Sequence, residues 1–287
     1  MKKEIWMLLI GMGEVGKNIL SSLQDNEIIL IDEVLHEGFE TIIVKPGKEG
    51  QYKHEQYDQI DLTESDLERF RDQRKYFVVS GGSDISGASL KLLEALGGEN
   101  TSVIYIKPEK DSLTNIQVMQ ERLTYGVLQE SARSGMLKEI ILFDNNHIAS
   151  FSGKVSIKNY YPTINNHITY AINALIFCEE NSQVFGKKRD YEELNRIVTL
   201  GRVHENQEVL FFPLRNEKKE TQYPLSKTYC YLVVADQLED VELLSSVKQE
   251  ISTINLGNID EVNFGIYETP SNTEYKMVII ETSLVQE

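Results

Sequence analysis

Two short apolar runs in this chain each pass into a loop of small residues that opens a helix: "LLIGMGEVGKNIL" (Leu8–Leu20) and "VVSGGSDISGASLKLLEAL" (Val78–Leu96). A strand that is apolar on both faces must be covered on both faces, which is the condition of a parallel strand inside an α/β sheet. Further runs of the same kind follow at Glu27–Ile31, Thr41–Val44, Ser102–Ile106 and Glu139–Phe143, beside Met7–Ile10 and Tyr76–Val79 in the two segments already quoted. Helical patterns lie between them at Gly16–Leu23, Asp61–Arg74 (with Thr63 as N-cap), up to Leu96, and Val118–Ser134. The alternation predicts an α/β fold: a parallel Rossmann-like sheet with helices on both faces. Lys45–Tyr57 reads as a polar loop.

The pattern changes after Ser150. Ile168–Glu180, "ITYAINALIFCEE", predicts a long apolar helix, and "GKKRDYEELNRIV" a basic turn followed by another helix. A strand (Tyr229–Ala235), a helix (Leu238–Ile254) and two strands (Glu261–Tyr267, Tyr275–Glu281) close the chain, the last two joined through "ETPSNTE" as a hairpin. The expected organisation is a nucleotide-binding domain over 1–165, a central helix over 166–186 and a smaller α+β domain over 187–287.

The 287 residues carry a formal net charge of -16, which argues against general binding to DNA or RNA. A local anion site built from backbone N–H groups remains compatible with that charge. Cys178 and Cys230 are too few and scattered for a disulfide framework, and they point to a reducing, cytoplasmic setting. The opening run carries Glu4 and enters a glycine loop directly, so it reads as a buried strand and not as a leader. No run reaches the roughly 20 apolar residues of a membrane span. The five histidines show no ligand spacing, and no metal site is expected from them.

Taken alone, "GMGEVG" satisfies G-x-G-x-x-G between a strand and a helix, and Asp32 ends the next strand. That is the dinucleotide fingerprint in its context, and it predicts an NAD-binding oxidoreductase or sensor. A tight strand-to-helix turn that binds nothing uses the same glycines. The second loop, "SGGSDISG" (Ser80–Gly87), is superfluous to a dinucleotide fold. Two such loops on one sheet edge suit successive phosphates of a nucleoside triphosphate. Neither ends in G-K-[ST], which excludes a P-loop.

With both loops on the page the chain resembles the tubulin/FtsZ superfamily. Gly11, Gly13, Gly16 and Asn18 are similar to its first phosphate loop, and Gly81, Gly82, Ser83, Ser86 and Gly87 to its glycine-rich hallmark loop. The Lys107-Pro108 step, "FDNN" with Asn145, and Asn166-His167 follow in the family's order. "KRDYEEL" resembles its N-x-D-x-x-D motif, with Asp190 and Glu193 on the acidic positions and Lys188 in place of the asparagine. "EVNFGIYETPSNTEYKMVIIETS" looks like the closing hairpin of the family's activation domain. The resemblance implies GTP with Mg²⁺ as cofactors and head-to-tail self-association into protofilaments, with an adaptor protein as a possible further partner and no direct contact with nucleic acid or membrane. It implies that Asp190 and Glu193 act catalytically on the neighbouring subunit's nucleotide. The chain closes at Glu287 without the long tail of FtsZ, which weakens the expectation of a direct division role, and plasmid or phage segregation of the TubZ-like kind fits no worse.

Besides Lys188, three positions depart from the family pattern. Glu14 and Asp84 place carboxylates inside the two phosphate loops, and His167 replaces the acid that reads guanine. A carboxylate about 4 Å from a phosphate costs about 1 kcal/mol in water and several-fold more in a dry site. Lys17, or a divalent ion at Asp84, is the expected compensation. The alternative expectation is an assembly protein of the same fold that works without nucleotide.

Overall fold

The apolar runs of the first half form a single all-parallel sheet. The computed structural model describes residues 7–23, 26–50, 52–60, 65–189, 196–214, 225–254, 261–270 and 274–286. The chain divides into two units, Met1–Thr169 and Tyr170–Glu287.

In the first unit the elements run β1 (Leu8–Met12), α1 (Gly13–Leu20), β2 (Glu27–Asp32), β3 (Glu40–Ile43), α2 (Lys53–Tyr57), α3 (Ser65–Glu68), β4 (Lys75–Ser80), α4 (Ser89–Leu96), β5 (Thr101–Lys107), α5 (Asn115–Arg133), β6 (Glu139–Asp144) and α6 (Asn145–Phe151). Strand order is β3-β2-β1-β4-β5-β6, every pair parallel. Chain order reverses between β1 and β4, so the loops that follow these two strands leave from adjacent strand ends. The strands of the centre are buried throughout, as their uninterrupted apolar character requires.

Local chemistry moves several boundaries. α5 starts at Asn115 because Thr114 and Gln117 form a capping box, with Gln117 N–H donating to Thr114 Oγ1 at 3.3 Å. Lys53–Tyr57, expected inside a loop, is the short helix α2. Of the helix expected over Asp61–Arg74, α3 covers Ser65–Glu68 and residues 69–72 follow as turns; Thr63 lies outside the described residues. The helix expected from Asn166 is α7, Tyr160–Glu180; Pro162 falls in its first turn, where a missing N–H costs nothing.

The second unit contains β7 (Phe185–Gly186), β8 (Ile197–His204), β9 (Gln207–Leu210), β10 (Leu225–Val233), α8 (Ala235–Leu238), α9 (Leu243–Ile254), β11 (Glu261–Glu268) and β12 (Tyr275–Thr282). Its order is β8-β12-β10-β11-β7, with β9 antiparallel to β8. Two expectations are corrected here. β11 and β12 are not a hairpin: β10 lies between them, parallel to β11 and antiparallel to β12. The run Tyr229–Val233 is buried and takes the central place, and α8 and α9 form the crossover that a parallel β10–β11 pair needs. The helix expected over "DYEELNRIV" does not reach the end of that segment: Ile197 and Val198 already belong to strand β8, where β-branched side chains pack well. α9 lays Leu243, Leu244, Val247 and Ile251 on a core with Tyr229, Tyr231, Val233 and Val278. The β8–β9 turn puts Glu205 and Asn206 in the left-handed region, φ 50 and 59, as a two-residue turn between twisted strands requires. At the far edge β7 pairs with Gly265 and Ile266 of β11, and Lys187 faces Glu261 at 3.6 Å. Both cysteines are free and buried.

Lys75, at the start of β4, is fully buried, and its ammonium donates to the carbonyls of Gln73 at 2.6 Å and Arg71 at 3.1 Å. Burial lowers its pKa from 10.5 to about 8. The folded state therefore holds this proton less tightly than the unfolded chain, so the penalty is complete below pH 8 and is relieved as pH rises to 10.5. Lys75→Met is expected to remove this rise, with the relief of the buried charge at pH 7 offset in part by the Gln73 and Arg71 carbonyls it leaves without a donor. Urea midpoints of both proteins between pH 7 and 10 test it.

Candidate functional site

The chain order reverses between β1 and β4, and open α/β sheets take their ligands at the carboxyl ends of strands at such a point. Both glycine loops lie there. Gly13 begins α1 directly after β1, with φ +64, a conformation that glycine adopts without steric cost. Gly11 and Gly16 press backbone on backbone: a Cβ on Gly16 would lie 2.6 Å from the Gly11 carbonyl carbon. The loops touch each other. A Cβ on Gly13 would meet Ile85 Cγ2 at 3.4 Å, and the Ser89 hydroxyl donates to Met12 Sδ at 3.7 Å.

The second loop winds into a 3₁₀ turn, Asp84–Ala88. The Ser86 hydroxyl is buried and donates to the Ser83 carbonyl at 2.6 Å. Gly87 packs on the His54 carbonyl of α2, Gly81 on Tyr105 and Glu121, and Gly82 on Leu113. Ser83 is exposed. α2 thus covers the second loop: the His54 ring lies 3.4 Å from Thr124 Oγ1, and burial lowers its pKa.

Charge concentrates at the mouth. Lys53 donates to Glu33 at 2.8 Å and stands 4.0 Å from Asp84. Tyr57 donates to the same Glu33 oxygen. These two hydrogen bonds lower the Glu33 pKa, and the bond to Glu33 raises that of Lys53. Asp32 pairs with His36 at 2.8 Å. Glu14 is exposed in the first turn of α1, where the helix dipole favours an acid.

Farther along the strand ends the character changes. Asn145 begins α6, whose N-cap Asp144 accepts from His147 N–H at 3.0 Å. Asn145, Glu109 and Gln120 are each 8% exposed, and Asn145 Oδ1, Glu109 Oε1 and Gln120 Oε1 have no hydrogen-bond partner among the described residues. Glu109 Oε2 accepts from Tyr161 at 3.5 Å, and burial, with Glu109 beside it, raises the Tyr160 phenol to about 12. Lys107 stands over the Tyr125 ring at 4.8 Å. His167 packs edge-on against Phe151, ring centres 5.6 Å apart. Sequence reasoning did not single out Lys53, His54, Glu109 or Gln120; the one available signal was Glu109 following the Lys107-Pro108 step.

The structure brings Gly11, Gly13, Gly16, Gly81, Gly82, Ser83, Ser86 and Gly87 to the β1/β4 reversal and Asn145 to the end of β6. Asn18 and Asn166 are exposed on α1 and α7. Asp190 and Glu193 lie outside the described residues. Fully buried oxygens without partners are rare and call for a donor. Each of the three can accept from a hydroxyl or an N–H group. The glycine-loop end offers Lys53 and the loop backbone, with Glu33 and Asp84 beside them.

No protein-family model and no curated protein matches the sequence. Solved structures do match. An empty FtsZ dimer from M. jannaschii superposes with a TM-score of 0.69 at 10% identity, over 98% of this chain and 89% of that one. The GDP-bound monomer of CetZ1 from Haloferax volcanii gives 0.67 at 14% identity, over 97% and 94%. A GTPγS-form protofilament of Bacillus thuringiensis TubZ gives 0.63 at 11% identity, over 98% and 87%. The chain has the two-domain α/β fold of the tubulin/FtsZ superfamily. Among the described residues no helix is long and apolar enough to cross a membrane.

Proposed function

We propose that this chain is a tubulin-like cytomotive protein that binds GTP at the β1/β4 reversal and stacks head to tail into protofilaments. The observation that carries the nucleotide is the set of unpartnered buried oxygens on Asn145, Glu109 and Gln120, beyond the two glycine loops on the same strand ends. In this reading Gly11, Gly13, Gly16, Gly81, Gly82 and Gly87 shape the phosphate cradle. Asn18, Ser83, Ser86, Asn145 and Asn166 bond the nucleotide. Asp190 and Glu193 act on the nucleotide of the next subunit, positioning the attacking water. Mg²⁺ supplies charge neutralisation of the phosphate oxygens. Among the described residues no group of three or more His, Cys, Asp or Glu is placed to hold a metal, so such an ion would take ligands largely from the phosphates. Lys53 must leave Glu33 or Asp84 to meet them.

Calorimetric titration of the purified protein with GTP, ATP and NAD in Mg²⁺ tests the reading. Selective GTP binding supports it; NAD binding overturns it. Asp190→Ala is expected to retain GTP binding and lose more than about 90% of turnover, since in-trans groups position the reaction without holding the ground state. Loss of binding in that variant contradicts the assigned role.

A second reading, assembly without nucleotide, is favoured by one group of observations. Lys53 is already shared by two carboxylates, the Ser86 hydroxyl is already bonded, and Gly87 is already covered by α2. Sedimentation with and without GTP separates the two: pelleting independent of GTP supports the second.

A further inference from the structure

Helix α5 turns an apolar stripe outward. Its inner face is buried through Tyr125, Leu128 and Ala132. On the opposite face Ile116 is 43% exposed, Met119 61%, Leu123 61% and Val127 42%. Steps of three, four and four residues keep these side chains within roughly a quarter of the helix circumference. A lone apolar side chain on a surface is ordinary, whereas four in line on one helix mark a surface that another surface covers. A Cβ on Gly126 would meet nothing within 4 Å, so a hole stands open beside Leu123 and Val127 for a facing side chain.

Spacing and charge both point to a second copy of the same helix. Two α5 helices laid antiparallel about a two-fold axis between positions 121 and 122 set Ile116 of each against Val127 of the other. Met119 and Leu123 then interleave with their counterparts at the centre. Next to the axis, Glu121 is buried and accepts from Tyr105, and Arg122 lies at the side of the stripe, so the seam traps no charge. Lys110 and Asp111 precede the helix, Glu130 and Arg133 close it, and all four are exposed. An antiparallel pair brings Glu130 and Arg133 of one copy beside Lys110 and Asp111 of the other, so opposite charges meet. A parallel pair sets every charge against its own counterpart. The chain's net charge of -16 opposes contact between most of its surfaces, but on α5 itself the exposed Arg122 and Arg133 against Glu130 nearly cancel. We propose that α5 is a side-by-side contact between two copies of this chain, antiparallel and two-fold. One helix face is smaller than the roughly 800 Å² per partner of a standard stable complex, so the free pair is weak. Head-to-tail stacking of the kind proposed above would multiply it, but the contact itself needs no nucleotide.

The test is disulfide trapping in the full chain without nucleotide, where both native cysteines are buried. Leu123→Cys, oxidised with diamide, is expected to form a linked dimer at least about tenfold faster than Glu94→Cys, an exposed position on α4, because pairing holds the two thiols together. When Ile116→Cys chains are mixed with Val127→Cys chains carrying a mass tag, the mixed dimer is expected to dominate. Met119→Glu added to Leu123→Cys is expected to remove the rate advantage and leave the urea midpoint unchanged, since the side chain is mostly exposed. A Leu123→Cys rate equal to that of Glu94→Cys overturns the proposal and leaves the stripe to a different protein. Dominance of like-with-like dimers, or a rate advantage that survives Met119→Glu, overturns it as well. GTP binding is read separately by titration, so failure of this contact and failure of the nucleotide reading are distinct results.

Discussion

Gly16→Ala is expected to destabilise the first unit by about 3 kcal/mol or more and to leave little folded protein at 37 °C. A Cβ on Gly16 would stand 2.6 Å from the carbonyl carbon and 2.7 Å from the Cα of Gly11, and these are backbone atoms with no rotamer to change. Gly11 is fixed on both sides, opposite Leu30 of β2 and Val78 of β4. Relief requires α1 to lift from the sheet, which exposes Ile19 and Leu20, both fully buried. Gly126→Ala in α5 is the control: nothing lies within 4 Å of its added methyl, and a gain of about 0.5–1 kcal/mol is expected from helix propensity alone. Urea unfolding followed by circular dichroism reads both. A wild-type midpoint for Gly16→Ala would refute the close approach.

Glu281→Ala is expected to cost about 3–5 kcal/mol, the loss associated with stranding a buried charge. Glu281 Oε1 accepts from Arg189 Nε at 2.9 Å and Nη2 at 2.5 Å, while Oε2 accepts from Ser226 at 3.0 Å. Among the described residues a second acid, Glu179, lies 4.0 Å from Arg189 and is just as deeply buried. The double variant Arg189→Met/Glu281→Leu removes both charges and is expected to recover only part of the loss, because the buried Glu179 then loses the cation 4.0 Å away. A double-mutant cycle on urea midpoints measures the coupling. A loss below about 1 kcal/mol for Glu281→Ala would show that water reaches Arg189.

Much of the first unit was legible because its strands are buried on both faces. Runs such as "YFVVS" and "SVIYIK" have no polar face to misassign, and each is a strand of a parallel sheet, as expected. The second unit was less legible for a definite reason. The pattern of β11 and β12 identifies strands but does not identify partners, and a turn-rich link such as "ETPSNTE" serves a hairpin and a step across β10 equally well. "DYEELNRIV" carries helix-forming acids up to the point where β8 begins, so the boundary was invisible without the tertiary partner that decides it.

The site divides the same way. The spacing of Gly11, Gly13 and Gly16 was readable, but helix-on-strand packing and phosphate binding demand the same glycines, so spacing alone does not assign a ligand. That α2 covers Gly87 followed from no local signal, because His54 lies far from the loop in sequence. Gln120 looked like any polar residue of a surface helix, and only its burial makes its oxygen informative.

The two-residue strand β7 bears on how another backbone can meet this sheet. A free sheet edge accepts a backbone of any sequence, so the outer side of β11 would offer every neighbour an unselective seam. β7 occupies that side with two residues, bracketed by Val184 N–H to Ile266 O at 2.7 Å and Lys187 N–H to Phe264 O at 2.8 Å. Beyond them the Lys187–Glu261 pair puts charge on the rim. Two residues of strand and one ion pair thus turn part of a sticky margin into a fender against unselective pairing.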